Sequence, residues 1–215
     1  MRIDVPAILS LFFFAVNAFL HLFLHKFGNL TKALIMPSIL LCCFCVNRAL
    51  PPVLIAAVVT SWLGDVLLEK NGFKWFTAGG LAFMASHMLY GLSYIPAINA
   101  NKPPLLVLIP AVLIYCAVSC STVWNIRKTA PKNSAVLLLL YLFTNAFMNI
   151  LALMQLVTCV STLTVIIYIG AVLFFISDNC LFYECFHKSK PNLFVPVMAT
   201  YITGEFMIAF CSALK

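Results

Sequence analysis

The sequence predicts an all-α fold in which a bundle of membrane-spanning helices forms one integral membrane domain, residues 1–215. Hydrophobic residues make up 64% of the chain and charged residues only 9%, and the mean hydropathy is +1.07. Soluble domains do not combine such values. Residues 133–177 contain no Asp, Glu, Lys or Arg. Because one span needs about 20 apolar residues, this stretch must hold two spans joined by an uncharged turn, which we predict at 155–161.

Eight apolar runs follow one another along the chain, and each predicts one transmembrane helix. Helices are expected rather than strands, because the runs lack strict alternation and lipid offers the backbone no hydrogen-bond partner. The second run is short for a hydrocarbon core of about 30 Å. The predicted spans are residues 6–24, 33–47, 52–68, 76–98, 105–124, 134–156, 161–182 and 194–213.

The residues between the runs support these divisions. The first run follows Arg2 and Asp4 and ends in no small-x-small cleavage pattern, so we interpret it as a span rather than a signal peptide. Proline-containing turns at 102–104 and 190–191 precede the fifth and eighth spans. The connecting loops are too short to fold alone, so no soluble domain is expected.

The basic residues are distributed unevenly between the two ends of the predicted bundle. Of the 13 Lys and Arg residues, most fall in the loops after spans one, three, five and seven. The positive-inside rule places that face in the cytosol and both termini outside or in a lumen. Topology and contact with anionic lipid explain the net charge of +7, so no nucleic-acid partner is expected. The cytosolic set is Lys26, Lys32, Lys70, Lys74, Arg127, Lys128, Lys132, Lys188 and Lys190, and the opposite set is Arg2, Arg48, Lys102 and Lys215.

Two aspartates inside apolar runs are the strongest candidates for functional residues. Asp65 lies in span three and Asp178 in span seven, and a lipid-facing carboxylate there would cost several kcal/mol. Each is predicted to lie about one helical turn inside the cytosolic end of its span, which would allow the two side chains to be neighbours. The structural alternative is that they pair with Lys70 and Lys188 at the membrane interface.

Polar residues at helical spacing form stripes on four spans, which we expect to face one interior. His87 is predicted to lie about 16 Å along its helix from the cytosolic end, too deep to reach the surface. For Ser61, Asn145 and Asn149 the alternative is a purely structural role as interhelical hydrogen-bonding groups. The stripes are Ser61, Asp65 and Glu69; Phe83, His87, Tyr90 and Tyr94; Tyr141, Asn145 and Asn149; and Tyr201 and Glu205.

Other patterns are weaker. His21 and His25 have i, i+4 spacing but lack the Glu of a zinc motif, so no metal site and no cofactor are expected. The nine cysteines include no C-x-x-C pair and are predicted to pack as small apolar residues. A shared small-D-x-x-L pattern at 64–68 and 177–181 favours, weakly, a four-plus-four parallel repeat.

Four segments taken together resemble the YhhN-like membrane family, the lysoplasmalogenases. They are residues 64–68 (GDVLL), 81–90 (LAFMASHMLY), 170–178 (GAVLFFISD) and Thr200-Tyr201. The resemblance implies an eight-span enzyme that hydrolyses the vinyl ether bond of lysoplasmalogens. The products would be a fatty aldehyde and glycerophosphoethanolamine or glycerophosphocholine.

The resemblance also implies where the protein acts and with what. Its partners would be the lysophospholipid substrate and the bilayer, in the endoplasmic reticulum or another intracellular membrane, with a homodimer left open. Two positions depart from the family pattern. Ala33 follows Lys32 where proline is expected, and Glu205 stands where glutamine is expected, which adds an acid to the site.

Vinyl ether hydrolysis needs one proton donor and one carboxylate, and the sequence provides candidates for both. Asp65 and Asp178 would act as general acid and as the anion that stabilises the oxocarbenium ion, in either order. The lysines Lys32, Lys70 and Lys74 would form a basic rim for the lipid phosphate. The predicted supporting residues are His87, Tyr90, Asn145, Tyr201 and Glu205.

The main alternative function is a small proton-coupled transporter or channel, because intramembrane Asp, Glu and His also mark proton relays. Such proteins tend to carry Gly and Pro breaks at matching positions of their two halves. Gly79, Gly80 and Pro110 do not match in this way. The sequence therefore favours the enzyme.

Overall fold

The computed structural model describes residues 4–24, 28–99, 104–132, 134–189 and 191–215. Within those ranges the chain forms eight α-helices, one short 3₁₀ helix at Ile95–Ala97 and no β-strand, so the predicted all-α fold is confirmed. Arg2, His25, Lys26, Lys102 and Lys190 of the predictions lie outside these ranges. The helices are α1 (Val5–Phe23), α2 (Gly28–Val46), α3 (Pro52–Leu68), α4 (Phe73–Tyr94), α5 (Leu105–Ile126), α6 (Ala135–Thr158), α7 (Thr162–Phe186) and α8 (Phe194–Ala213).

Six of these helices, α1, α2, α5, α6, α7 and α8, are long and apolar enough to cross a membrane. The protein is therefore a multi-pass membrane protein. α3 is apolar but has only 17 residues. α4 has 22 residues, and its buried face includes the polar side chains of Ser86 and His87.

Several helix ends differ from the predicted spans. α2 begins at Gly28, five residues before the predicted start at Ala33, because its first turn is polar and the hydropathy rule overlooks it. α4 begins at Phe73 and ends at Tyr94, and Pro96 lies in the 3₁₀ turn that follows.

The uncharged stretch forms two helices, and the turn between them lies close to the one predicted at 155–161. α6 continues to Thr158, and Ser161 caps α7 by accepting a hydrogen bond from the Thr164 amide at 3.1 Å. α7 then runs to Phe186 rather than 182. Asp178 therefore lies about two turns from the end of its helix, deeper than the one turn expected.

Two helix pairs, α3 with α4 and α7 with α8, pack most closely. A Cβ added to Gly204 would lie 2.8 Å from the carbonyl oxygen of Gly170, and one added to Gly170 would lie 2.9 Å from that of Gly204. A Cβ added to Gly64 would lie 2.6 Å from the Phe83 ring. Small residues at these positions let helices approach closely, as is common in membrane bundles. The approach brings Asp65 and Glu205, each next to a glycine, into the interior.

The remaining contacts arrange the helices around one interior. α2 packs on α1, α3 and α8, while α6 packs on α5, α7 and α4. α1 and α5 lie at the periphery, where large apolar side chains such as Phe12 and Leu106 are exposed. An apolar exterior around a polar interior is the arrangement that lipid requires.

The contact between α7 and α8 predicts a sharp difference between two glycines. Gly204→Ala should destabilise the protein by about 1–3 kcal/mol, because the two helices must move apart. Gly80→Ala is the matched control, since a Cβ there would lie 3.7 Å from the Tyr141 ring, an ordinary contact. Thermal unfolding in detergent measures both. Equal melting temperatures for the two variants would contradict this account of the packing.

Candidate functional site

Three carboxyl groups are buried in the interior of the bundle. Asp65 of α3, Asp178 of α7 and Glu205 of α8 have relative exposures of 1%, 3% and 0%. Burying a carboxylate is costly unless hydrogen bonds satisfy its oxygens. The partners of these three groups therefore define the site.

Asp65 is held by α8. The hydroxyl of Tyr201 donates a hydrogen bond to Asp65 Oδ2 at 2.7 Å. The Tyr201 ring packs against Phe83 and Phe174, with ring centroids 5.9 Å and 5.5 Å away. These edge-to-face contacts fix the direction of the hydroxyl.

Glu205 connects three helices. Its Oε1 accepts a hydrogen bond from Ser61 of α3 at 2.6 Å, and its Oε2 accepts one from Tyr90 of α4 at 2.7 Å. Ser61 and Ser86 are 2.7 Å apart. Because the Ser61 hydroxyl gives its proton to Glu205, Ser86 is the donor in that pair. Both oxygens of the carboxyl group are thus satisfied by neutral donors.

Asp178 is held by α6. The side-chain amide of Asn145 donates to Asp178 Oδ2 at 2.5 Å. Asn149 in turn donates to Asn145 Oδ1 at 2.8 Å, and Tyr115 of α5 donates to Asn149 Oδ1 at 3.0 Å. The Tyr141 hydroxyl also lies beside Asp178. A chain of hydrogen bonds therefore runs from α5 through α6 to this carboxyl group.

His87 lies in the same interior and is fully buried. Its Nε2 is 3.5 Å from Asp178 Oδ2, longer than a good hydrogen bond. The imidazole contacts the rings of Phe174 and Tyr141, with centroids 4.8 Å and 5.3 Å away. A small movement would bring the imidazole into hydrogen-bonding distance of Asp178.

The two aspartates share this interior without contacting each other. No hydrogen bond or ion pair joins Asp65 to Asp178 in the described part of the chain. They are connected through Phe174, whose ring contacts both Tyr201 and His87. Within this shared interior each aspartate has its own hydrogen-bond donor, Tyr201 for Asp65 and Asn145 for Asp178.

The comparison with known proteins identifies the family. The model of the YhhN family matches residues 27–211. The chain belongs to the YhhN family. The match includes α3, α4, α6, α7 and most of α8, and so every carboxyl group of the site. Neither a curated protein nor a solved structure matches the chain.

At the end of the bundle nearest Asp65, this YhhN-family chain carries the three lysines predicted to bind substrate. Lys32 forms an ion pair with Glu69 at 2.8 Å. Lys70 lies over the Trp75 ring, 4.1 Å from its centroid, and Lys74 is exposed. Only Lys32 borders a cavity of about 290 Å³, which Glu69 and Glu184 also line.

The structural alternative for the aspartates does not hold in the described residues. No ion pair joins Asp65 or Asp178 to Lys70, Lys188 or another described lysine. Asn145 joins α6 to α7 through its hydrogen bond to Asp178, which agrees with the interhelical role and also places its amide at a candidate catalytic acid. Ser61 is predicted on the same polar stripe as Asp65, and its hydroxyl donates a hydrogen bond to Glu205.

The histidine and cysteine side chains singled out in the sequence have the following surroundings in the structure. The described residues contain no group of three or more His, Cys, Asp or Glu side chains placed to hold a metal ion. His21 Nδ1 lies 3.0 Å from the Thr31 hydroxyl, and its Nε2 lies 3.2 Å from Met198 Sδ. All nine cysteines are free.

Sequence reasoning missed two members of the site. Ser86 lies four residues before Tyr90 and three after Phe83, so helical spacing alone would have added it to the stripe of α4. Tyr115 of α5 is followed at i+4 and i+7 by Ser119 and Thr122, which are buried with it, so helical spacing marks a further polar stripe on α5. The hydrogen bond from Tyr115 to Asn149 connects that stripe to the site.

The hydrogen bonds of Glu205 predict different effects for two substitutions. Glu205→Leu should destabilise the protein by about 1–3 kcal/mol, because the hydroxyls of Ser61 and Tyr90 lose their acceptor. Glu205→Gln keeps an acceptor oxygen and nearly the same shape, so its stability should stay close to that of the wild type. Melting temperatures in detergent test this. A Glu205→Leu protein as stable as Glu205→Gln would show that these bonds do not hold α3, α4 and α8 together.

Proposed function

We propose that the protein is a lysoplasmalogenase, which hydrolyses the vinyl ether bond of a lysophospholipid. The observation that carries the proposal is the set of three carboxyl groups buried in one interior of a membrane-embedded YhhN-family chain. Each accepts a hydrogen bond from a neutral donor, and no described Lys or Arg forms an ion pair with any of the three. Carboxyl groups of this kind suit acid catalysis on a substrate that arrives from the bilayer.

The reaction begins with transfer of a proton from one carboxyl group to the alkene carbon that is not bonded to oxygen. The electron pair of the double bond forms the new C–H bond and leaves an oxocarbenium ion. A second, ionised carboxylate stabilises that cation. Water adds to the positive carbon and gives up a proton, which restores the acid. The hemiacetal then collapses to a fatty aldehyde and a glycerophospho-base.

Asp65 and Asp178 take the two carboxyl roles in this proposal. Tyr201 orients Asp65, and Asn145 orients Asp178. His87, 3.5 Å from Asp178 Oδ2, is placed to pass a proton between that carboxyl group and water. Tyr90 and Glu205 are the proposed supporting residues, because the hydrogen bond between them fixes α4 against α8 around the two acids.

The substrate is proposed to bind with its phosphate at the lysines and its chain among apolar side chains. Lys32 at the cavity of about 290 Å³ would contact the phosphate, with Lys70 and Lys74 adding positive charge nearby. A second cavity, of about 380 Å³, lies between α5 and α7 with walls that include Tyr115 and Phe175. Its apolar walls suit a hydrocarbon chain.

We also propose that α3 and α4 cross the membrane, which makes eight spans. α3 is about 25 Å long, close to the hydrocarbon thickness, and α4 packs along it. The helix contacts fit a four-plus-four repeat in which α1 to α4 correspond to α5 to α8. The contact of α3 with α4 then corresponds to that of α7 with α8, and the contact of α2 with α8 corresponds to that of α6 with α4. An intracellular membrane such as the endoplasmic reticulum is the proposed location, with the basic ends of α3 and α7 in the cytosol.

Proton-coupled transport is a second candidate, and one observation favours it. Polar groups continue through much of the bundle, from Lys32 and Glu69 past Asp65 and Glu205 to Tyr94. Such a series of polar side chains could carry protons through the bundle. Aldehyde release without proton flux in sealed vesicles favours the enzyme, and proton flux without hydrolysis favours the transporter.

The proposed chemistry predicts selectivity between two bonds. Purified protein should release aldehyde from a lysoplasmalogen and spare the ester of the matching lysophospholipid, because the described site offers carboxyl groups but pairs no serine or thiol with a histidine base. Parallel assays of aldehyde and of free fatty acid measure this. Comparable fatty acid release from the ester lipid would exclude the mechanism.

The two aspartates predict the effect of amide substitutions. Asp65→Asn and Asp178→Asn should each lower the rate of aldehyde release by about 100-fold or more, since an amide can neither donate the proton nor carry the charge. The double variant should be little worse than either single one, because groups that act together are not additive.

The matched control for these variants is Asp4→Asn, a change at an exposed aspartate outside the site. It should keep the wild-type rate. All variants are compared in detergent at equal concentrations, with melting temperatures to verify folding. A folded Asp65→Asn or Asp178→Asn protein that keeps more than about a tenth of the wild-type rate is incompatible with the role assigned to that residue.

A further inference from the structure

A cavity of about 520 Å³ lies at the end of the bundle opposite the Lys32–Glu69 ion pair. It is bounded by the beginning of α3 and the ends of α4, α6 and α8. Apolar walls such as Leu54 and Leu92 alternate with polar side chains, and Lys215 lies at its rim. Nothing in the catalytic scheme described above uses this cavity.

Three residues that line the cavity each carry a buried polar atom with no hydrogen-bond partner among the described protein groups. These atoms are the Tyr94 hydroxyl, Gln155 Oε1 and Ser212 Oγ. Tyr94 and Gln155 are each only 1% exposed. Leaving such atoms unpaired is costly, and a cavity with room for water and several polar partners is where ordered water is retained.

These polar groups lead toward Glu205. Tyr94 lies one helical turn from Tyr90, whose hydroxyl is 2.7 Å from Glu205 Oε2. Ser212 follows Glu205 by two turns of α8, a distance of about 10 Å along the helix axis. The hydrogen bonds of Glu205 then continue to Ser61 and Ser86. Hydroxyl groups thus lie between the cavity and Glu205, at the spacing of one and two helical turns.

We propose that this cavity is a hydrated vestibule that supplies the water consumed in hydrolysis. The supply role rests on the lysoplasmalogenase function proposed above. A lipid substrate whose phosphate lies at Lys32 would obstruct the other end of the site, so water has to arrive from a different face. The vestibule provides that face, and Tyr94, Gln155 and Ser212 hold its innermost water.

Hydration is tested by labelling a cysteine placed in the cavity wall. Leu54→Cys is treated in detergent with a positively charged methanethiosulfonate reagent, which needs an aqueous thiolate. The tryptic peptide of residues 49–70 has no native cysteine, so mass spectrometry reads this site alone. Val59→Cys on the same peptide is the control, since Val59 is exposed on the apolar outside of α3. Val53→Cys, also on the cavity wall, replaces Leu54→Cys if that variant does not fold.

We expect the Leu54→Cys thiol to react and the Val59→Cys thiol to stay unmodified. Failure of both cavity cysteines to react would overturn the proposal, because a vestibule without water cannot supply any. Reaction of the Val59→Cys thiol at the same rate would overturn it too, since labelling would then not report the cavity. Neither readout depends on catalysis.

Supply is tested by comparing two adducts on the same cysteine. The bulky charged adduct should lower the rate of aldehyde release by about tenfold or more relative to a small methylthio adduct, which leaves the cavity open. Equal rates for the two adducts would overturn the supply role while leaving the lysoplasmalogenase assignment intact. If unlabelled protein releases no aldehyde, the proposed function fails and the supply role with it, and the labelling result alone decides whether the cavity holds water.

Discussion

The cost of burying carboxyl groups inside a membrane protein is the constraint on which this structure depends. Asp65, Asp178 and Glu205 lie where lipid and apolar side chains offer them no water. Each therefore needs donors from neighbouring helices. Those donors come from α3, α4, α6 and α8. The need to hydrogen-bond three carboxyl groups therefore specifies which helices surround the interior.

Close helix packing makes these hydrogen bonds possible. The Gly170–Gly204 contact holds the backbones of α7 and α8 together, and Gly64 admits the Phe83 ring of α4 to the surface of α3. In a bilayer, apolar surface gives helices little reason to associate, so packing contacts and polar bonds must provide it. Two of these glycines, Gly64 and Gly204, directly precede Asp65 and Glu205 in the sequence.

The site combines fixed side chains with one that is less constrained. Tyr201 and Asn145 are each fixed by further contacts, the first by aromatic rings and the second by Asn149. The imidazole of His87 by contrast has no hydrogen-bond partner among the described residues and can approach Asp178 with little movement. A site with fixed acids and one less constrained imidazole suits a reaction in which protons move between carboxyl groups and water.

Membership of the YhhN family and the geometry of the interior bear on different parts of the function. The family match covers the segments that hold all three acids. The geometry adds what the match does not contain, namely that Asp65 and Asp178 have separate donors and that Glu205 links α3, α4 and α8. The two aspartates of the proposed reaction therefore lie in separate hydrogen-bonding environments.

Much of the fold followed from the sequence by itself. Hydropathy determined the all-α class and the number of helices, because lipid requires long apolar helices whatever their neighbours are. Helical spacing also identified Asp65, His87, Asn145, Tyr201 and Glu205 as residues of an interior face. Helix ends were less certain, since the polar first turn of α2 and the last turn of α7 lie beyond the apolar runs.

The partners of these side chains were decided only by the tertiary structure. Spacing shows which residues share a face of one helix, but not how that helix is rotated and shifted against its neighbours. Ser61 therefore seemed paired with Asp65 on α3, whereas α8 places Tyr201 at Asp65 and Glu205 at Ser61. Tyr115 lies on a polar face of α5 that spacing alone does not connect to the other stripes, and its hydrogen bond to Asn149 makes that connection. The sequence thus shows which polar residues belong to the interior face of each helix. Which of them form hydrogen bonds with each other depends on how the helices pack.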